Sequence, residues 1–138
     1  AVAGSDWNYY LFECLGTFKE CRKLHVTASH YDDPVAVALA TSSLLSVALH
    51  GARDTEPFVC VGGLNTQKRA SMAESLRGDG IPVSEPCKRL PGAAPKNIVN
   101  RSREAGVQLE ISVPLCRKLE NDEGFRQTFG AAVRRGME

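Results

Sequence analysis

Two side chains stand out as able to do acid–base chemistry. His50 closes the apolar run Leu44–Leu49 and precedes Gly51, which places an imidazole at the carboxyl end of a buried strand, where open α/β sheets carry their sites. A lone histidine there can equally be structural. Glu110 interrupts the alternation of Val107, Leu109 and Ile111, so period-two geometry sends Gln108, Glu110 and Ser112 together to the opposite face. That face is either solvated or the lining of a pocket, and in a pocket Glu110 is a general-base candidate. A third group is basic: Lys88, Arg89, Lys96, Arg101 and Arg103 share a stretch without one acidic residue. It reads as a solvated loop or as a patch for an anionic polymer. Gly62 and Gly63, at a strand end before a helix, either permit a tight turn or offer backbone N–H groups to an anion. Cys14, Cys21, His25 and His30 are the one grouping with some resemblance to a structural zinc site, but six residues separate the cysteines and the following segment alternates like a strand. P-loop, GxGxxG and GxSxG signatures are absent from the sequence, which counts against nucleotide kinases and serine hydrolases.

Strand-like and helix-like segments must position these groups, and their alternation predicts an α/β domain with a mixed, largely parallel sheet flanked by helices. Five strands are expected, at Trp7–Phe12, Leu24–Ala28, Leu44–Leu49, Phe58–Val61 and Val107–Ile111. Asp33 and Pro34 read as N-cap and first position of a helix running into Val35–Ala40. Asn65 caps a second helix with Ala70, Ala73 and Leu76 inward and Gly78 as its stop. A last helix spans about Asp122–Arg135, with Phe125, Phe129, Ala132 and Val133 on one face. Between them Glu85–Ser102, broken by Pro86, Pro91, Gly92 and Pro95, reads as a long loop of functional character.

The 138 residues suit a single domain over 1–138, and 43% apolar with 24% charged residues describes a soluble chain able to bury one core. A formal net charge of +1 provides no global field toward nucleic acid or membrane. Val35–Leu49, interrupted by Thr41, Ser42, Ser43 and Ser46, falls short of the roughly 20 apolar residues of a membrane span. The first residues lack a basic region followed by an apolar core, and the five cysteines are odd in number and scattered, so reduced thiols in a cytoplasm are expected.

Five ordered motifs, LHVTASHYDDP (Leu24–Pro34), SVALHG (Ser46–Gly51), FVCVGGLN (Phe58–Asn65), APKNIVNR (Ala94–Arg101) and GVQLEIS (Gly106–Ser112), closely resemble the poly-γ-glutamate hydrolase family of phages and bacteria. Some relatives carry the label phage-related replication protein. The resemblance implies a compact zinc carboxypeptidase-like fold, one zinc ion and an anionic γ-linked polyglutamate substrate. By it, His50 matches a zinc ligand, Glu110 the catalytic glutamate, and Asn100, Arg101 and Lys96 the substrate-carboxylate contacts, with His25 and Asp32 as supporting residues behind the metal. The family's HGGxIE-type motif, which supplies the other two zinc ligands upstream, does not occur here, so the resemblance implies an N-terminally truncated domain with an incomplete metal site. Val113 and Pro114 stand where relatives often have Arg and Gly. The alternative is a catalytically inactive phage-related protein that binds a polyanion or nucleic acid. The absence of Phe, Tyr or Trp from Lys88–Arg103 weighs against binding single-stranded nucleic acid.

Overall fold

The computed structural model describes residues 2–138. Four strands form one mixed sheet: β1 (Ser46–Ala52), β2 (Val59–Gly62), β3 (Val83–Ser84) and β4 (Gly106–Ser112), in the order β1-β4-β2-β3. β1 runs parallel to β4, β2 antiparallel to β4, and β3 parallel to β2. The helices are α1 (Phe18–Lys23), α2 (Pro34–Ser42), α3 (Thr66–Gly78), α4 (Val113–Asn121) and α5 (Glu123–Met137). The α/β architecture anticipated from the alternation of segments is present.

Strand register divides the labour between the two faces. Val107, Leu109 and Ile111 of β4, with Val59 and Val61 of β2, point to one side and meet Met72 and Leu76 of α3, Leu115 of α4 and Phe129, Ala132 and Val133 of α5 in one buried cluster. Each fully buried aliphatic side chain there contributes about 1.5–3 kcal/mol. Gln108, Glu110 and Ser112 are sent to the other side, which the loop before β4 covers.

Local chemistry sets the helix ends. The Asp33 carboxylate accepts from the N–H groups of Val35 and Ala36, and Pro34 starts α2, as expected. Asn65 caps α3 by accepting from the Lys68 N–H. The inward face of α3 is Met72, Ala73 and Leu76, while Ala70 is exposed, because the helix meets the core over a narrower arc than the sequence suggests. Its stop lies beyond Gly78: Gly80, at φ 74°, donates to the Arg77 carbonyl and Ile81 donates to the Leu76 carbonyl, a Schellman ending. The last helix runs to Met137 with Asp122 as its cap.

Three expectations give way. Trp7–Phe12 and Leu24–Ala28 form no strand; Leu24 caps α1 and Ala28–His30 makes a 3-10 turn. Period-two patterning yields a strand only where a neighbour takes the backbone hydrogen bonds. Trp7–Phe12 instead lies along the surface, with Trp7 under the Arg134 guanidinium at 5.0 Å and the Tyr10 and Tyr31 hydroxyls 3.1 Å apart. α4 had no sequence signal of comparable strength, since Pro114 reads as a breaker yet sits in the first turn, where its missing N–H matters least. Nor are the thiols all reduced: Cys14–Cys21 and Cys60–Cys87 are disulfides, with Cα separations of 5.6 and 5.0 Å, and Cys116 is free. An odd count and wide spacings do not reveal which cysteines the fold brings together. Among the described residues no helix is long and apolar enough to cross a membrane.

Gly63 tests how closely the loop, β4 and the β2–α3 turn fit. It has φ 102°, and a Cβ there would lie 2.2 Å from the Gly106 carbonyl oxygen. Gly63→Ala should destabilise by on the order of 3 kcal/mol. Gly78→Ala, at a helical position with nothing within 4 Å, should instead stabilise by up to about 1 kcal/mol. Urea unfolding of the two variants checks the contrast; a well-tolerated Gly63→Ala would contradict the packing of this turn.

Candidate active site

β4 is buried along its whole length, polar residues included. In the register of the sheet, Glu110 stands between His50 of β1 and Cys60 of β2. Register partners share a face and lie one inter-strand spacing apart, about 5 Å, so the His50 imidazole and the Glu110 carboxyl leave the sheet side by side.

Glu110 is only 7% exposed. Burial pushes its carboxyl up to about 7, against the opposing pull of a Gln108 hydrogen bond and the Arg89 charge, and Asp54 pushes it further upward. The hydrogen bonds form a chain: the Val99 N–H donates to Asn97 Oδ1 at 3.1 Å, Asn97 Nδ2 to Gln108 Oε1 at 2.8 Å, and Gln108 Nε2 to Glu110 Oε1 at 2.8 Å. Asn97 and Gln108 are themselves buried, so the chain is shielded from water and competes with little.

His50 has the opposite perturbation. Burial holds its imidazole below the usual histidine range, and His25 nearby adds to the depression. The ring is therefore neutral at pH 7, the form that ligates a metal or accepts a proton. Its Nε2 is buried and has no hydrogen-bond partner. An orphaned imidazole nitrogen in a dry position is suited to a ligand from outside the protein. His50 and His25 line one cleft of about 1000 Å³, together with Trp7, Tyr31, Val47 and Leu49.

The other sequence-derived residues are distributed as follows. Asn100 accepts from the Leu64 N–H and donates to the carbonyls of Gly92 and Ala94. Arg101 donates through Nε and Nη2 to the Lys96 carbonyl. Both brace the covering loop, while the Lys96 side chain is exposed on its surface. His25 and Asp32 are exposed on the segment before α2. Gly62 and Gly63 serve close packing: the Gly63 N–H donates to the Pro91 carbonyl, and a Cβ on Gly62 would meet that carbonyl oxygen at 2.4 Å. The Cys14, Cys21, His25 and His30 grouping is closed to metal because its two sulfurs are bonded to each other.

Two charged residues near Glu110 carry no individual signal in the sequence. Arg89 forms an ion pair with Asp54, and both act on the Glu110 carboxyl. Asp54 belongs to the β1–β2 connection and Arg89 to the basic loop, so no local pattern links them. Gln108 is legible through strand alternation, whereas Asn97 has no signal of its own.

A metal requires more than His50. Among the described residues no three His, Cys, Asp or Glu side chains come together as a metal site. His50 Nε2 fits one ligand position, and the remainder of a three-ligand catalytic zinc shell is not assembled here.

A buried carboxyl raised to about 7 and an imidazole held below the usual histidine range occupy paired positions on the face of a mixed sheet opposite its core helices, in an α/β protein. Comparison with known proteins specifies the class further. The poly-γ-glutamate hydrolase family profile matches residues 1–129, and the chain belongs to this family. It is similar to the SPbeta prophage-derived UPF0714 protein YoqZ of Bacillus subtilis (strain 168), with 32% identity over 137 residues covering 96% of this chain and 47% of the relative. UPF0714 protein YndL of the same organism is 29% identical over 117 residues, covering 83% of this chain and 46% of the relative. Among solved structures, a bacteriophage poly-γ-glutamate hydrolase superposes with a TM-score of 0.77 at 32% identity, covering 83% of this chain and 62% of that one. Zinc-free apo YndL superposes with a TM-score of 0.74 at 25% identity, covering 83% and 63% respectively. The chain spans about half the length of the curated relatives it matches.

The raised pKa of Glu110 has a consequence for stability. Its folded value of about 7 lies above the ordinary 4.5, so the fold favours the protonated carboxyl. That contribution is fully present below about pH 4.5 and is lost as pH rises through about 7. Glu110→Gln cannot ionise, so its stability relative to wild type should rise from about pH 5 to about pH 8 in metal-free protein. Chemical unfolding at both pH values measures this, and a constant difference between the two proteins would contradict the buried, raised carboxyl.

Proposed function

We propose that this chain carries the base-bearing part of a hydrolase of γ-glutamyl amide bonds, acting on anionic poly-γ-glutamate. The observation that carries the reading is the pairing of Glu110, buried and raised to about 7, with the orphaned Nε2 of His50 in adjacent register positions. A phosphate track or polyanion surface requires no buried acid–base pair, so the binding-only alternative leaves this arrangement without purpose. Similarity to a bacteriophage poly-γ-glutamate hydrolase and to a protein solved in a zinc-free form supports the substrate class and a zinc ion, and the unpartnered Nε2 makes His50 the candidate to hold it in part.

Glu110 takes the proton of the attacking water and returns it to the leaving amine, a pair of tasks best served by a pKa near the working pH. When bound, zinc polarises the scissile carbonyl. The rest of its shell comes from residues outside this 138-residue chain, in a domain of carboxypeptidase-like organisation. His25 lines the cleft with His50, and Asp32 adjoins Tyr31 of the same lining, the two as supporting residues, while Lys96 and Arg101 form the basic, loop-borne rim, braced by Asn100, that a polymer with one carboxylate per unit crosses. Two disulfides fit an oxidising environment better than the cytoplasm expected from free thiols.

The 138-residue chain should show no tight one-to-one zinc site by calorimetry, since one imidazole cannot replace three protein ligands. A tight site abolished by His50→Ala would mean that side chains other than those expected complete the shell. Once the chain is joined to the segment that completes the relatives' length, Glu110→Gln should retain fold and metal but lose about 100-fold to 10,000-fold in cleavage of poly-γ-glutamate. Near-normal turnover by that variant would remove the general-base assignment.

A further inference from the structure

The loop Lys88–Arg103 contains five basic residues, and they are not equivalent. Arg101 is engaged with the Lys96 carbonyl, and the Arg103 N–H is tied to the Ser43 carbonyl just before β1, at the end of that strand away from His50. Arg89 has a different setting. Cys60 is the register partner of Glu110 on β2, and its disulfide to Cys87 fixes the chain two residues before Arg89 against the strand next to the base. The Cys87 N–H donates to the Val61 carbonyl at 2.9 Å, and the Gly63 N–H donates to Pro91 at 2.8 Å, so the segment is held on both sides of Arg89. Asp54, the partner of Arg89, is itself anchored at the end of β4, where the Val113 N–H donates to its carbonyl at 3.2 Å. The Arg89 side chain is 60% exposed and meets Asp54 through Nη2 alone. A guanidinium has five N–H donors in a planar fork, so a second carboxylate can be taken while the first stays in place.

We infer that Arg89, fastened beside Glu110 by the Cys60–Cys87 disulfide and oriented by Asp54, binds the substrate carboxylate next to the scissile nitrogen and thereby selects γ-linked over α-linked glutamate. The inference rests on the γ-glutamyl reading and adds to it the residue that reads the linkage. In a γ-linked chain the free carboxylate sits on the carbon bonded to the amide nitrogen. In an α-linked chain it lies at the end of a flexible side chain, well away from that nitrogen. A cation held rigidly beside the base can therefore meet the first while the base faces the amide, and cannot meet the second in the same pose. Arg serves this better than Lys, because its fork fixes the direction of the carboxylate as well as its charge.

The test is a binding titration of the oxidised 138-residue chain with γ-linked and α-linked oligoglutamates of equal length, read by calorimetry or by amide chemical shifts. Wild type should prefer the γ-linked oligomer by about tenfold, the order of one charge-assisted hydrogen bond. Arg89→Gln should bring the two affinities together, and Arg101→Gln should weaken both while keeping their ratio. Arg89→Lys should recover charge but only part of the preference. A γ preference that survives in Arg89→Gln would overturn the assignment and leave the substrate reading intact. Equal wild-type affinity for the two oligomers would overturn linkage selection by Arg89. Failure of wild type to bind either oligomer would overturn it together with the γ-glutamyl reading.

Discussion

Everything at this site depends on β4 being a strand buried on both faces yet apolar on only one. Parallel pairing to β1 on one side and antiparallel pairing to β2 on the other use its backbone groups along most of its length, so the strand cannot shift register without losing both ladders. A slip of one residue would drive Gln108 and Glu110 into the cluster of Met72, Leu76 and Phe129, where an unpaired polar group costs several kcal/mol. The apolar face thus fixes the polar one. Glu110 is held in place by the helices packed on the opposite side of the sheet, although its own hydrogen bond comes from Gln108 on the same strand.

The covering loop turns that polar face from a solvated surface into a buried one. Cys60–Cys87 closes a separation of 27 residues, which restricts the unfolded chain by on the order of 3 kcal/mol. Asn100 bridges Leu64, Gly92 and Ala94, so the return of the loop is tied to the β2–α3 turn. The two glycines at the strand end let this loop approach: a side chain on Gly62 would meet the Pro91 carbonyl, and one on Gly63 the Gly106 carbonyl. What reads in sequence as a possible anion nest is the seat on which the loop rests. Its basic residues consequently have fixed positions, and a positive patch becomes a set of distinguishable groups.

Periodicity carried much of this into the sequence. Alternation in Val107–Ile111 revealed both faces of β4, the caps Asp33 and Asn65 announced two helices because their side-chain chemistry is local, and the spacing of Phe125, Phe129, Ala132 and Val133 announced the last. Failures came where the deciding contact is distant. Trp7–Phe12 has the composition of a strand, but it finds no ladder among the described residues; α4 carries Pro114 in its first turn, where only its position just after the Ser112 cap makes it harmless. The Cys60–Cys87 disulfide and the Asp54–Arg89 pair join residues that are 27 and 35 positions apart, and no spacing rule singles out such partners. The His50–Glu110 juxtaposition was legible only as two separate signals, an imidazole at a strand end and a carboxyl on the polar face of an alternating strand; their shared register is a property of the sheet.

The direction of the hydrogen bonds behind Glu110 decides which of its oxygens can work. The backbone N–H of Val99 can only donate, so Asn97 must present Oδ1 to it and turn Nδ2 toward Gln108. Gln108 must then accept through Oε1, which leaves Nε2 as the group that faces Glu110. Because an amide NH₂ only donates, Glu110 Oε1 is an acceptor in both of its protonation states. A carbonyl oxygen accepts better than a hydroxyl oxygen, so the proton that a carboxyl with a pKa of about 7 gains and loses is favoured on Oε2. A carboxyl free to rotate would divide that proton between two oxygens and two directions. Here the backbone of the covering loop, acting through two buried amides, favours a single oxygen as the one that carries the carboxyl proton.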